Sequence, residues 1–168
     1  NPKDNQPLAM ARRMARSIRR QRDRRIQRKN VLVHILTSNG LFPDEASLRQ
    51  TLKKQDPYRL RKKALDEKLE AYELGRILFQ IGSRRGFQSN RLTDQAEKEA
   101  GEKLTQAQKI TQLDNAIKES GARTLGEYLY QRIVNKQGVR FRADTYECYP
   151  SREQYLTEFQ AIKEVQQQ

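Results

Sequence analysis

Apolar residues recur at helical spacing along most of the chain, and no stretch shows the strict alternation typical of a β-strand. The first helix is predicted from Leu8 to about Ser38, because this stretch contains no proline or glycine and Asn39-Gly40 follows it as a stop. The pattern therefore predicts an all-α fold that begins with an unusually long helix.

Shorter helices follow, and local signals mark their starts and two of their ends, at Gly86 and at Gly121. A small polar residue before an apolar repeat predicts an N-cap, and a Glu or Gln three residues after a Ser or Thr predicts a capping box. A helix from about Glu70 to Arg85 is predicted to end at Gly86 in a left-handed conformation. The candidate helix starts are Asp44, Asp56-Pro57, Thr124 with Glu127, and Ser151 with Gln154.

The chain divides into three predicted parts. Residues 1–7 form a linker, residues 8–38 the long helix, and residues 39–168 a helical domain with a polar loop near residues 92–104. The chain starts at Asn1 rather than Met, and we expect it to be a piece of a longer protein. Its single cysteine, Cys148, excludes an internal disulfide and fits a reducing cytosol. No apolar run approaches the roughly 20 residues of a membrane span.

Most of the positive charge lies in the first half of the long helix. The net charge is +13, and residues 12–29 contain nine arginines and one lysine against the single acid Asp23. Arg13, Arg16, Arg20 and Arg24 fall on one narrow stripe of the predicted helix. The opposite face carries small or flexible side chains such as Ala11 and Met14. We expect the end of the helix to dock on a core through Val31, Leu32, Ile35 and Leu36.

The choice of arginine favours a phosphate backbone as the partner. A guanidinium binds phosphate oxygens bidentately, and arginines three or four apart rise about 5–6 Å per step along a helix. A membrane-surface helix would need a broad face of Leu, Phe or Trp, which this helix lacks. The alternative that the residues leave open is a solvated basic face without an ordered partner.

Two further basic segments combine arginines with aromatic residues, a combination that suits RNA. One surrounds the turn at Gly86 and includes Arg84, Arg85, Phe87, Asn90 and Arg91. The other precedes Ser151 and includes Arg140, Phe141, Arg142 and Tyr146. Helix capping or core packing explains each of them equally well.

Candidate catalytic chemistry is missing from the sequence. His34 is the only histidine, and we expect it to be a core or surface residue of the long helix. One histidine and one cysteine do not make a zinc site of the usual ligand spacing, and no glycine-rich phosphate loop is present. We therefore predict no catalytic residue, no metal site and no cofactor in this chain.

Three segments in order resemble one family. The run ARRMARSIRRQRDRRIQRKNVLVHILTSNGLFP at 11–43 resembles the bridge helix of the type II CRISPR-associated RNA-guided DNA endonucleases. The segment DPYRLRKKALDEKLEAYELGRILFQIGSRRGFQSNR at 56–91 resembles the start of their recognition lobe, particularly in the compact subtype. The stretches TLGEYLY at 124–130 and VRFRADTYECYPSREQYLTEF at 139–159 continue the resemblance, whereas Gln80 stands where many members have histidine.

The resemblance implies a function in bacterial antiviral defence, in the cytoplasm. Residues 8–38 would be the bridge helix that holds the seed phosphates of a guide RNA, and residues 39–168 would belong to the recognition lobe. That lobe grips the guide–target heteroduplex and the repeat:anti-repeat duplex. The implied partners are the CRISPR RNA, the trans-activating RNA and a target DNA strand. The nuclease sites, with the magnesium they imply, would lie elsewhere in the longer protein.

Specific residues carry over from the resemblance. The implied guide contacts are Arg13, Arg16, Arg20, Arg24 and Arg28, with Arg12, Arg19 and Arg25 as flanking RNA-binding residues. The secondary RNA-binding candidates are Arg84, Arg85, Asn90, Arg91, Arg140 and Arg142. Two other hypotheses remain: a stand-alone RNA-binding protein of ribosomal type, and a helical protein whose basic rod binds an acidic protein. An acidic inhibitor protein is a further candidate partner.

Overall fold

A computed structural model of the protein describes residues 8–84, 86, 106–139 and 150–167. The predicted linker 1–7, the predicted loop 92–104 and Cys148 lie outside these residues, as do the candidate site residues Arg85, Asn90, Arg91, Arg140 and Arg142. The described residues form seven helices and no sheet, which confirms the all-α prediction. The helices are α1 Leu8–Ser38, α2 Ala46–Lys54, α3 Pro57–Lys63, α4 Ala71–Ser83, α5 Gln106–Glu119, α6 Leu125–Val134 and α7 Arg152–Gln167.

The apolar side chains gather in two cores, and α4 contributes to both. The larger core joins α3, α4, α5, α6 and α7 around buried residues such as Ile77, Leu113 and Ile162. The smaller core joins the end of α1 to α2 and α4 around Leu36, Phe42 and Leu52. Helix α4 therefore connects the long helix to the rest of the fold.

The local sequence signals had mixed outcomes. Asp56 caps α3 by accepting a hydrogen bond from the backbone N–H of Tyr58, and Ser151 and Gln154 form a complete capping box before α7. Gly40 takes a positive φ of 69° at the predicted end of α1. The Asp44 prediction is wrong, because α2 begins at Ala46 with Glu45 in the N-cap position and no side-chain cap.

The second capping box forms only in part. Thr124 Oγ1 accepts from the backbone N–H of Glu127 at 3.3 Å, as predicted. The Glu127 carboxylate does not return to Thr124. It accepts instead from the backbone N–H and the guanidinium of Arg123, which precedes the cap. An arginine beside the cap offers charged donors, which form stronger hydrogen bonds with a carboxylate than a neutral amide does.

The docking of α1 differs from the prediction at two positions. Leu36 is buried and Leu32 is half-buried, but Val31 is 58% exposed and Ile35 is 51% exposed. The helix meets the small core along the face of Leu32 and Leu36. Val31 and Ile35 point away from that face, because each lies about 100° around the helix from its neighbour. Two large apolar side chains are thus left open beside the arginine stripe. His34 is exposed as well.

A buried ion pair joins distant parts of the larger core. Arg61 of α3 and Glu158 of α7 have fully buried side chains, and the guanidinium donates two hydrogen bonds to the carboxylate at 2.5 Å each. Glu158 also accepts from the backbone N–H of Gly126 in the first turn of α6, at 2.9 Å. Gln80 accepts from Arg61 at 3.4 Å, which gives the residue that departs from the family pattern a structural partner.

The surroundings of Arg61 stabilise its charge. Burial opposes the charged form, but the hydrogen bonds and the negative charge of Glu158 outweigh this effect, so the pKa of Arg61 is raised. The rings of Tyr58 and Tyr155 lie 5.5 and 5.9 Å from the guanidinium carbon. A Cβ atom at position 126 would lie 2.2 Å from Glu158 Oε1, so only glycine leaves room for the pair.

Candidate nucleic-acid interface

Most of α1 extends beyond both cores. Every residue from 9 to 27 is exposed, and burial begins only where the helix reaches α4. A helix of this length spans about 45 Å, so its N-terminal half is a free rod about 30 Å long. The exposed apolar residues of this half include Met14 (55%) and Ile18 (62%). Among the residues that the structure describes, none buries the surface of this rod.

The predicted stripe is a real surface feature. Four arginines and two uncharged polar neighbours line one shallow groove of about 490 Å³: Arg13, Arg16, Ser17, Arg20, Gln21 and Arg24. The spacing of three and four residues places them along the same side of the helix. The described residues that line the groove are all cationic or neutral polar, which suits a row of phosphates.

The arginines of α1 have no acidic partners within the described residues. Arg12, Arg19 and Arg25 are exposed but lie outside the groove, on other faces of the rod. Arg28 is half-buried and lies one turn beyond Arg24. The charge of the rod is thus uncompensated, and it is largest along the groove.

A second concavity continues the groove towards α4. Arg24 borders both, and the second has a volume of about 440 Å³. We call it the α1–α4 notch. The residues that line it are Arg24, Gln27, Arg28, Val31, Leu32, Ile35 and Gly82. The surface along one side of α1 therefore changes from basic to apolar where the helix meets α4.

Arg84 of the second predicted site lies at a separate cavity of about 630 Å³ between the end of α4 and the start of α7. Arg152 lines the same cavity together with Tyr155 and Phe159. Burial raises the pKa of Tyr155, while nearby Arg84 opposes that rise. Arg84 and Arg152 are thus brought together by the fold, with aromatic side chains beside them.

Gly86 also lines this cavity, where its backbone lies against the start of α7. It adopts a φ of 66°, as predicted for a left-handed terminator, although α4 itself ends at Ser83 rather than Arg85. A Cβ atom there would lie 2.4 Å from backbone atoms of Ser151 and Arg152. Glycine is therefore required twice, for its conformation and for the close approach of α7.

Sequence reasoning missed Arg152 and the notch. Arg152 is the first residue of α7, and its position after a capping serine gave only a helix-start signal. Val31 and Ile35 were assigned to the core because their spacing is that of buried residues. The charge of Arg152 was one available signal. The other was that apolar residues occur on two sides of the end of α1, with Val31 and Ile35 on one side and Leu32 and Leu36 on the other.

Two negative observations apply to the described residues alone. No group of three or more His, Cys, Asp or Glu side chains is arranged to hold a metal ion among them. None of the helices that the structure describes is both long and apolar enough to cross a membrane.

Comparisons with known proteins agree with the resemblance in the sequence. No family model matches the chain. The CRISPR-associated endonuclease Cas9 of Campylobacter jejuni is 32% identical over 163 residues, which are 88% of this chain and 16% of that protein. The chain thus spans about a sixth of the length of this relative.

The fold agrees as well. Two crystal structures of Campylobacter jejuni Cas9, each in complex with sgRNA and target DNA, match with TM-scores of 0.72 and 0.73 and 26% identity. They cover 95% and 98% of this chain, which covers 22% and 23% of theirs. A cryo-EM structure of a St1Cas9-sgRNA-tDNA20-AcrIIA6 assembly has a TM-score of 0.71 at 21% identity; it covers 99% of this chain, which covers 19% of that chain. In sequence and in fold, this chain is therefore related to one helical segment of the Cas9 family of CRISPR-associated endonucleases.

Proposed function

We propose that this chain binds the guide RNA of a CRISPR-associated RNA-guided endonuclease, with α1 as its bridge helix and residues 39–168 as part of its recognition lobe. The observation that carries the proposal is the groove in which Arg13, Arg16, Arg20 and Arg24 lie together, with no acidic partner among the described residues. The sgRNA and target DNA in the two matched Campylobacter jejuni complexes support the choice of polyanion.

Each residue has a proposed role. The four groove arginines and Arg28 hold successive phosphates of the guide seed, while Arg12, Arg19 and Arg25 contact flanking RNA. Arg84 belongs to a second RNA contact, for which Arg85, Asn90, Arg91, Arg140 and Arg142 remain candidates from the sequence. The partners of the recognition lobe are the guide–target heteroduplex and the repeat:anti-repeat duplex of CRISPR RNA with trans-activating RNA.

The segment itself binds and does not cut. We propose that the catalytic residues of the endonuclease, and the magnesium they use, lie outside this chain. The complex would act in the bacterial cytoplasm. An acidic inhibitor protein is the other partner that the uncompensated rod suits, because such a protein would compete with RNA for the same arginines.

Salt dependence tests the groove directly. Each phosphate contact on a single strand adds about 0.7 to the slope of log affinity against log salt concentration. Replacing all four groove arginines with glutamine should therefore flatten the slope by about 3 units for a single-stranded guide RNA. The substituted residues are exposed, so circular dichroism should show an unchanged fold.

A matched pair of double variants separates an ordered groove from diffuse charge. Arg16→Gln with Arg20→Gln removes two groove arginines, and Arg22→Gln with Lys29→Gln removes two positive charges of α1 that lie on another face and have no proposed RNA contact. The first pair should flatten the slope by about 1.4 and the second by much less. Equal flattening by the two pairs would mean that the charge acts as a cloud, and the groove proposal would be wrong.

A further inference from the structure

The arginine groove and the α1–α4 notch form one continuous track. Arg24 lines both, and Gln27, Val31 and Ile35 follow along the same side of α1 at four-residue intervals. From Arg24 to Val31 the helix rises about 10 Å. A strand whose phosphates follow the arginines is thus led directly over the notch.

The floor of the notch is apolar and open. Val31 and Ile35 remain 58% and 51% exposed although they sit beside α4. Gly82 contributes no side chain, and a Cβ atom there would lie 2.8 Å from Leu32 Cδ2, so α4 already approaches α1 closely. The volume of about 440 Å³ lies within the range of small-ligand pockets.

The polar groups at the mouth narrow the choice of ligand. Gln27 offers both a donor and an acceptor, flanked by the cations Arg24 and Arg28. Among the described residues, those that line the notch include no aromatic side chain, so they do not provide the platform on which unpaired bases stack. A ribose matches it better, because its carbon face is apolar and its 2′-hydroxyl both donates and accepts.

We propose that the α1–α4 notch is a ribose site for the strand that follows the arginine groove. The sugar lies on Val31 and Ile35, its 2′-hydroxyl is hydrogen-bonded to the Gln27 amide, and an adjoining phosphate is held by Arg24 or Arg28. The inference rests on the proposed RNA binding and adds to it a residue that distinguishes RNA from DNA.

The first test compares two exposed glutamines, Gln27 of α1 and Gln50 of α2. The 168-residue chain is titrated with a single-stranded RNA and with the 2′-deoxy strand of identical bases, and the ratio of the two affinities is measured. Gln27→Leu should reduce the preference for RNA by about 2- to 10-fold, the effect of one hydrogen bond. Gln50→Leu, an exposed glutamine of α2 that lines neither the groove nor the notch, should leave the ratio unchanged. An equal ratio in the two variants would overturn the assignment of the 2′-hydroxyl.

The second test examines the apolar floor. Val31→Ser with Ile35→Ser should weaken RNA binding about tenfold, because two apolar contacts are lost, without changing the salt slope. Met14→Ser with Ile18→Ser is the matched control, since both residues are similarly exposed on another face of α1. A loss no greater than that of the control would overturn the notch as a binding surface.

The two proposals fail in distinguishable ways. If the two double variants that remove basic residues of α1 flatten the salt slope equally, the proposal of an ordered groove is wrong, whatever the notch variants do. If Arg16→Gln with Arg20→Gln flattens the slope as expected, but the Gln27 and Val31–Ile35 variants behave like their controls, only the ribose site is wrong. A reduced RNA preference together with an unchanged salt slope supports the ribose site.

Discussion

The Arg61–Glu158 pair offers a sharp test of how the larger core is held together. Glu158→Gln leaves the buried guanidinium without its counter-charge, although Gln80 and the two tyrosine rings remain. Both side chains of the pair are fully buried, and removing one partner of such a pair costs about 3–5 kcal/mol. For a chain of this size the melting temperature should fall by roughly 6–20 °C.

A double-variant cycle separates the pair from its parts. The double variant Arg61→Met with Glu158→Met removes both charges and keeps apolar volume. Its loss of unfolding free energy should be smaller than the sum of the losses of the single variants Arg61→Met and Glu158→Met. It should still cost about 1–3 kcal/mol, because the Gly126 N–H and the Gln80 amide lose buried partners. Gly126→Ala perturbs the same pair by crowding alone and should be similarly destabilising.

Urea unfolding followed by circular dichroism measures these differences. The free energy of unfolding in water is obtained for the wild type, each single variant and the double variant. A Glu158→Gln variant within about 1 kcal/mol of the wild type would show that solvent reaches the pair. Losses that simply add would show that the two side chains do not interact, and either result would refute the reasoning.

Three further outcomes are expected. Gly86→Ala should lower the free energy of unfolding by about 1–3 kcal/mol and with it the melting temperature. Gly138→Ala is the control and should not, because there is open space around Gly138. Differential scanning calorimetry measures both. Hydrogen bonds from Arg123 lower the pKa of Glu127 and the pKa of Asp66. The two carboxylates therefore stabilise the fold fully above their ordinary pKa values of 4.5 and 3.8, and this stabilisation is lost as the pH falls. Melting curves from about pH 5 to pH 3 should therefore decline more in the wild type than in Arg123→Gln. The purified chain with magnesium should not nick DNA on agarose gels, and nicking that one substitution in this chain abolishes would reveal a catalytic residue.

Local rules accounted for much of this fold. The bounds of α1 follow from an uninterrupted helical stretch and the glycine after it, and Gly86 and the box at Ser151 follow from short-range capping patterns. The arginine stripe was also predictable, because helical geometry alone places residues three and four apart on one side.

Features that depend on tertiary packing were not predictable. Arg61 and Glu158 lie 97 residues apart, and nothing near either one indicates a buried partner. Val31 and Ile35 have the spacing of core residues, but which face of α1 meets α4 is decided by the packing of Leu32 and Leu36. Arg152 and Arg84 line the same cavity because the start of α7 lies against the turn at Gly86.

The exposed rod has a consequence for the life of the chain before its partner arrives. Arg12, Arg16, Arg20, Arg24 and Arg28 follow one another at four-residue intervals, and each like-charged pair at this spacing destabilises a helix by about 0.2–0.5 kcal/mol. Among the described residues no core lies beneath this part of α1, so the unbound helix should unwind locally at little cost, and proteases that cleave after arginine act on unwound segments. A bound polyanion removes the repulsion and closes those sites. If the segment binds a polyanion as we propose, its resistance to such proteases should depend on whether that polyanion is bound.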